Sequence, residues 1–234
     1  MTAVFKREFR SYFRTPLGYV IIAVAYFFTG YYFFSYNIYG GTTDFTQLFS
    51  LLFSVVLFLI PVLTMRLLSE EKRSRTDQLL LTAPVSRIGI VIGKYLSALC
   101  VFLIAILGTL AVAVIASFYG KVDWPCVIGN FLGLVLLGVA EISICLFLSS
   151  LTESQVIAAV LGFAVSLFLM LVDAVSYVTK SPVLQRFFAY ISFNERYSPF
   201  TRGIVELKNA VFFLTVAALF CVFSTAVLER KRWN

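Results

Sequence analysis

Six stretches of about 20 mostly apolar residues, at 17–36, 48–68, 95–118, 127–149, 155–178 and 210–228, constrain this chain more than any other feature. That length matches the hydrocarbon core of a bilayer, where every backbone amide must be satisfied within its own segment. The expected fold is therefore all-α and integral to a membrane, with six transmembrane helices. Composition agrees, since 60% of residues are apolar and 13% charged, against roughly half and a quarter in soluble domains. With 234 residues, six spans leave no room for a separate soluble domain. The first apolar stretch is too long and too aromatic for a cleaved leader and is expected to stay as the first span.

Lysine and arginine set the expected orientation, because they are retained on the cytoplasmic side. Lys6, Arg7, Arg10 and Arg14 precede span one; Arg66, Lys72, Arg73, Arg75, Arg87 and Lys94 border the loop after span two; Arg230, Lys231 and Arg232 end the chain. The loop at 37–47 has no basic residue and that at 119–126 only Lys121. Both termini are expected in the cytoplasm. The segment 180–208 runs against the rule with Lys180, Arg186, Arg196, Arg202 and Lys208. Five spans would repair this but would expel the basic C-terminus, so six is the reading.

The chain has no histidine, which removes imidazole acid–base chemistry, His-based triads and His metal sites. Cys100, Cys145 and Cys221 lie in apolar runs and Cys126 beside a turn, without ligand spacing; they read as small core residues. Gly89-Ile-Val-Ile-Gly-Lys-Tyr95 only imitates a phosphate-binding loop: its spacing is one residue short, and Tyr95 replaces the magnesium-binding hydroxyl. No cofactor is expected on this chain, and nothing in its pattern suggests nucleic acid.

Three segments exceed what spans need. A helix over the first 16 residues places Phe5, Phe9, Tyr12 and Phe13 on one face and Lys6, Arg7, Arg10 and Arg14 on the other, a pattern for the headgroup plane. Pro16 then turns the chain. The second, 69–94, opens with charge at Glu70-Glu-Lys-Arg and continues to an apolar helix, Leu79-Leu-Leu-Thr-Ala-Pro84. Apolar residues rimmed by charge suit docking to a partner, an interfacial linker being the alternative. In the third, 179–209, Ser181-Pro182 starts a helix, Val183, Leu184, Phe187, Phe188 and Ile191 recur at helical spacing, and Pro199 and Gly203 break the remainder of the segment. Two short helices re-entering the outer leaflet or lying on it are expected.

Phe5-Lys-Arg-Glu-Phe-Arg-Ser-Tyr-Phe-Arg-Thr-Pro-Leu-Gly18, Glu70-Glu-Lys-Arg with Leu79-Leu-Leu-Thr-Ala-Pro84, Leu146-Phe-Leu-Ser-Ser-Leu-Thr152 and Arg202-Gly-Ile-Val-Glu-Leu207 together resemble the permease subunits of type-2 (ABC-2) exporters. The likeness is greatest to the gliding-motility and nitrous-oxide-reductase-maturation branch and covers essentially the whole chain. It implies an elbow helix containing Phe5, Arg10, Phe13 and Pro16. It also implies a coupling helix received by a separate ATPase, with Glu70, Glu71, Thr76, Leu79, Leu80 and Pro84 as its contacts, and an outer gate with Phe187, Phe188, Pro199 and Gly203. Two ATPase subunits holding ATP and Mg2+, a second identical or related permease, and a place in the bacterial inner membrane are implied by the same likeness. The branch also accommodates a further membrane subunit with an extracytoplasmic domain. The coupling region departs from the family's pattern at Arg75, where glycine is common, and at Gln78, where glutamate is common.

Glu141 falls about 12 Å inside span four at 1.5 Å per residue, deep enough that its carboxyl must be protonated, paired or hydrated. It is the candidate for a polar site in the pathway or between subunits; a structural ion pair, with Arg66 as a possible partner, is the alternative. Asp173 lies nearer the outer end of span five. Gly129-x-x-x-Gly133 permits close helix packing, and Pro61 bends span two, either to transmit movement or as a passive kink. Two other functions stay open: a non-transporting membrane scaffold of a motility or maturation complex, and a stand-alone secondary transporter, which would call for more intramembrane charge and an internal repeat.

Overall fold

The computed structural model describes residues 2–73, 86–178, 188 and 190–230, leaving aside the side chains of 173–178 and 230. Its elements are α1 (Thr2–Arg14), α2 (Pro16–Tyr32) with a π-helical continuation (Phe33–Ile38), α3 (Thr46–Thr64), α4 (Ser69–Arg73), α5 (Arg87–Ser117), α6 (Trp124–Leu151), α7 (Gln155–Val178), α8 (Phe193–Thr201) and α9 (Leu207–Arg230). No strand occurs among the described residues. Among the described residues six helices are long and apolar enough to cross a membrane: Pro16–Ile38, Thr46–Arg73, Arg87–Ser117, Trp124–Leu151, Gln155–Val172 and Leu207–Glu229.

α3 and α6 form the middle of the bundle and bury most of their surface, whereas α2, α7 and α9 keep most of theirs outward. Outward residues such as Phe27, Val160, Leu171, Val211 and Val222 are apolar and exposed, as lipid-facing positions require. Inside the spans, hydroxyls return their protons to the preceding turn: Thr29 to the Ala25 carbonyl, Thr64 to Ile60 and Ser224 to Phe220, each at 2.8 Å. That local bonding removes the cost of a hydroxyl in hydrocarbon.

Helices approach closely where side chains are absent. A Cβ on Gly138 of α6 would stand 2.1 Å from the Phe102 ring of α5, and one on Gly108 of α5 would stand 2.7 Å from Tyr26 of α2. Gly162 of α7 rests on Pro61, which lies inside α3 without ending it.

The α1–α2 elbow arises from Pro16. Thr15 before it is extended (φ −100°, ψ 155°), Pro16 opens α2, and a Cβ on Gly18 would fall 2.7 Å from the Tyr12 carbonyl. The chain can fold back so tightly only with glycine at that position.

Three expected boundaries are corrected. The loop 69–94 is shorter, because residues 69–73 are helical and α5 begins at Arg87, not at 95. Ser86 caps α5 by accepting the Gly89 amide at 3.2 Å, while Arg87 and Lys94, read as loop charges, find acidic partners within the fold and so continue the helix. Pro199 does not break the outer segment but sits inside α8. The stop comes at Gly203 (φ 74°), whose amide reaches the Phe200 carbonyl at 3.0 Å while Ile204 reaches that of Pro199 at 3.0 Å, the paired closure that a left-handed glycine allows. α9 correspondingly starts at Leu207, ahead of the expected 210.

Gly138→Val should destabilise the chain by about 1–3 kcal/mol, since the Phe102 ring has no room to yield; thermal unfolding in detergent measures it, and an unchanged midpoint would contradict this packing.

Candidate functional site

The chemistry of this chain gathers at the bundle end that carries α1. Along α1, Val4, Glu8 and Tyr12 share the face turned to the protein, with Val4 and Tyr12 buried. Phe5, Phe9, Phe13 and Tyr19 form a ring ladder with centroids 5.9, 5.1 and 5.5 Å apart. Lys6, Arg10 and Arg14 are exposed. Phe5, Arg10 and Phe13 lie on the helix Thr2–Arg14 just ahead of Pro16, and this helix has three faces, not two.

Its protein-facing side meets two ionic groupings. In the first, Lys94 of α5, only 1% exposed, places its ammonium 3.2 Å from Glu8 and 3.0 Å from Glu71 of α4, and donates to the Leu67 carbonyl at 2.6 Å. Arg7 completes the set by pairing with Glu8 at 2.6 Å and also with Glu71. In the second, Arg66 donates to Thr15 Oγ1 at 2.9 Å and to Ser11 Oγ at 2.8 Å, lies 4.9 Å over the Tyr12 ring and pairs with Glu70 at 3.9 Å. The Tyr12 hydroxyl donates to the Leu63 carbonyl at 2.9 Å.

Burial works against a charged Glu8, but the Lys94 ammonium and the Arg7 guanidinium outweigh it and hold this carboxyl below its ordinary range. Without Lys94 the Glu8 and Glu71 carboxylates would share the more exposed Arg7 guanidinium and lose the buried ammonium between them.

α6 supports the same region. Ser149 Oγ accepts the Leu68 and Ser69 amides at 3.2 and 3.1 Å and lies 3.1 Å from the Met65 carbonyl, and Lys72 donates to the Ser150 carbonyl. These serines belong to the Leu146-Phe-Leu-Ser-Ser-Leu-Thr152 motif. Arg87 pairs with Glu229 of α9 at 3.1 Å, tying the start of α5 to the last span. Thus Glu71 and Lys94, which flank the segment 74–85 on either side, are clasped together with α1. Of the expected coupling residues, Glu70 and Glu71 lie in this arrangement; Thr76, Leu79, Leu80 and Pro84 lie outside the described residues.

At the opposite end α8 is seated on α3 and α6. Ser192 accepts the Glu195 amide at 2.9 Å and starts the helix; Phe193, Tyr197 and Phe200 are buried. Tyr197 donates to the Phe49 carbonyl at 3.4 Å and packs at a tilt against Phe53, ring centroids 5.1 Å apart. The glycine pair of α6 receives this helix: a Cβ on Gly129 would meet Gly203 at 2.8 Å, and one on Gly133 would meet Phe200 and Tyr197 at 2.8 Å. Its close partner is therefore α8. Pro199 and Gly203 shape α8 and its end, the Phe188 carbonyl accepts the Ser192 amide at 2.9 Å, and Phe187 lies outside the described residues.

Glu141 is fully buried, with Oε1 at 2.5 Å from Ser166 Oγ of α7. The suggested pair with Arg66 is not formed, because Arg66 is engaged by Ser11, Thr15 and Glu70. The Asp173 side chain is not among those described.

Among these residues, sequence reasoning missed Glu8 and the burial of Lys94. A signal existed: Lys94 is one cation in the apolar run 88–106, where an intramembrane charge demands a partner.

A family profile described as ABC-2 family transporter protein matches residues 3–233. The chain belongs to the ABC-2 transporter family. This ABC-2 protein is accordingly the multi-pass membrane component of an ABC transporter, the part that works with an ABC ATPase and is not itself the ATPase. No curated protein matches it.

Lys94→Met should cost about 3 kcal/mol by removing the buried cation between Glu8 and Glu71 and leaving Arg7, half exposed, to offset both, read as a lower unfolding temperature that Glu8→Gln partly restores. The depressed Glu8 carboxyl contributes stability that is fully present above its unfolded value of about 4.3 and is lost as pH falls through the lower folded value. Acid unfolding of the wild type should show this loss below about pH 4, and Glu8→Gln should lack it.

Proposed function

We propose that this ABC-2 permease is half of the membrane pathway of an ATP-driven exporter in a bacterial inner membrane, with both termini in the cytoplasm. Two copies, or this chain and a related one, enclose the path, and two ATPases carrying ATP and Mg2+ engage the segment between α4 and α5. The observation that carries the reading is the clasp around Lys94. It joins both flanks of that segment to the elbow helix, so a push on the segment is delivered to α1, α3 and α5 together. Closure of the ATPases would then tilt these helices and shift the pathway from inward-open to outward-open, provided the ATPases bind the two states differently.

Ser149 and Lys72 support the same reading, since they hold the end of the second span against α6. α8 fits a closed outer gate, sealed by Tyr197 and Phe200 on the glycines of α6. An apolar groove of 520 Å³ between α2, α3 and α7, lined by Val24, Phe28, Tyr32, Phe58 and Phe163 among others, is compatible with a second permease packed alongside. The four sequence motifs favour the gliding-motility and nitrous-oxide-reductase-maturation branch, with which a further extracytoplasmic subunit would be consistent.

Affinity purification in mild detergent tests the proposal. Wild type should bring down an ABC ATPase, and Leu80→Glu should fold normally yet lose at least about tenfold of it, the equivalent of 1.4 kcal/mol. If wild type retains no ATPase, the exporter reading fails.

A further inference from the structure

Among the described residues, Glu141 is the one carboxyl in the middle of a span that no part of the proposed coupling uses, and its described surroundings carry no charge. On α7, Ser166 Oγ lies 2.5 Å from Glu141 Oε1 and 3.0 Å from the Gly162 carbonyl. On α6 itself, the neighbouring titratable group is the Cys145 thiol, one helical turn from Glu141. Gly162 rests on Pro61 of α3 at a spacing that admits no Cβ, with the Cys145 sulfur 3.5 Å from the position such an atom would take. Three spans therefore close over this carboxyl. Among the described residues no lysine or arginine pairs with it, and its Oε2 is buried without a hydrogen-bond partner.

The proton count, together with the absence of a described counter-ion, argues for a neutral acid. A serine hydroxyl has one proton to donate, and the Gly162 carbonyl can only accept. When Ser166 donates to Gly162, the short contact to Glu141 needs its proton from the carboxyl. The resulting chain, Glu141 O–H to Ser166 Oγ and Ser166 O–H to the Gly162 carbonyl, satisfies each contact. It also leaves an uncharged acid where an ion would stand unpaired in low dielectric. We infer that the seam between α6 and α7 is a proton-binding site, with Glu141 holding the proton and Ser166 accepting its hydrogen bond, and that the proton leaves when the seam opens.

The inference does not depend on the exporter reading. When α7 moves away from α6 and water enters, the Glu141 O–H bond breaks, the proton passes to water and the hydrated carboxylate remains. By linkage the closed seam, which binds one more proton than the open one, is favoured by acid and loosened by alkali.

The full chain in lipid nanodiscs serves for the test. Infrared difference spectra at neutral pH should show a protonated-carboxyl C=O band that disappears in Glu141→Gln, persists in Asp173→Asn and shifts in Ser166→Ala, where the acceptor is lost. Absence of the band from wild type, or its survival in Glu141→Gln, overturns the site. Should Glu141→Gln fail to fold, the Ser166→Ala shift decides it, and an unshifted band overturns the assigned acceptor.

Opening is read at Cys145, after Cys100, Cys126 and Cys221 are changed to serine. Labelling by a membrane-permeant thiol reagent should rise with pH more steeply than thiol ionisation accounts for. In Glu141→Gln it should track ionisation alone. Identical profiles overturn the link between proton release and opening.

Discussion

A lysine ammonium enclosed by protein at the edge of a membrane is tolerable only while its counter-ions stay in place, and much of this structure is arranged to keep them there. Lys94 takes one carboxylate from α1 and one from α4 and adds a backbone carbonyl from the turn between α3 and α4. No single helix supplies that environment. The elbow therefore packs against the protein as a structural element, and α4, a helix of five residues too short to persist alone, has a reason to be ordered. Arg66 repeats the logic one layer away with hydroxyls and an aromatic face, so α1 is fixed at two levels along its length.

α6 is the frame against which both ends of the bundle are set, and it uses different chemistry at each. At the elbow end, Ser149 and Ser150 offer a hydroxyl and a carbonyl to the chain leaving the second span. At the other, Gly129 and Gly133 offer nothing but space, and the aromatic side chains of α8 occupy it. Hydrogen bonds fix register, while glycine contacts fix distance; a helix held both ways resists sliding and separation alike. Between them lies the seam around Glu141, where α7 is held to its neighbours by contacts that are polar but unpaired in charge.

The number of spans, the elbow at Pro16, the role of glycine at 129 and 133 and the aromatic face of α1 were legible because each rests on local rules: run length, proline geometry, residue size and helical periodicity. What escaped depended on residues far apart in the chain. Arg87 and Lys94 looked like loop charges because positive residues ordinarily mark aqueous flanks, and only Glu229, Glu8 and Glu71 brought into contact allow a helix to carry them. Arg66 was open as an ion-pair partner for Glu141 in the alternative reading, yet Ser11, Thr15 and Glu70 engage it. Pro199 seemed a breaker because proline lacks an amide to donate, yet the helix runs through it to Thr201 and stops only at the left-handed Gly203.

The clasp also imposes an order on synthesis. Glu8 is made ahead of the first span, while Lys94 arrives only with the third. Until then the elbow carries a carboxylate with no ammonium to receive it, and the first two spans can hold only provisional positions. Insertion of α5 is the moment at which the amino-terminal third of the protein becomes committed, so a chain halted before that helix would have made its opening segment without the residue that anchors it.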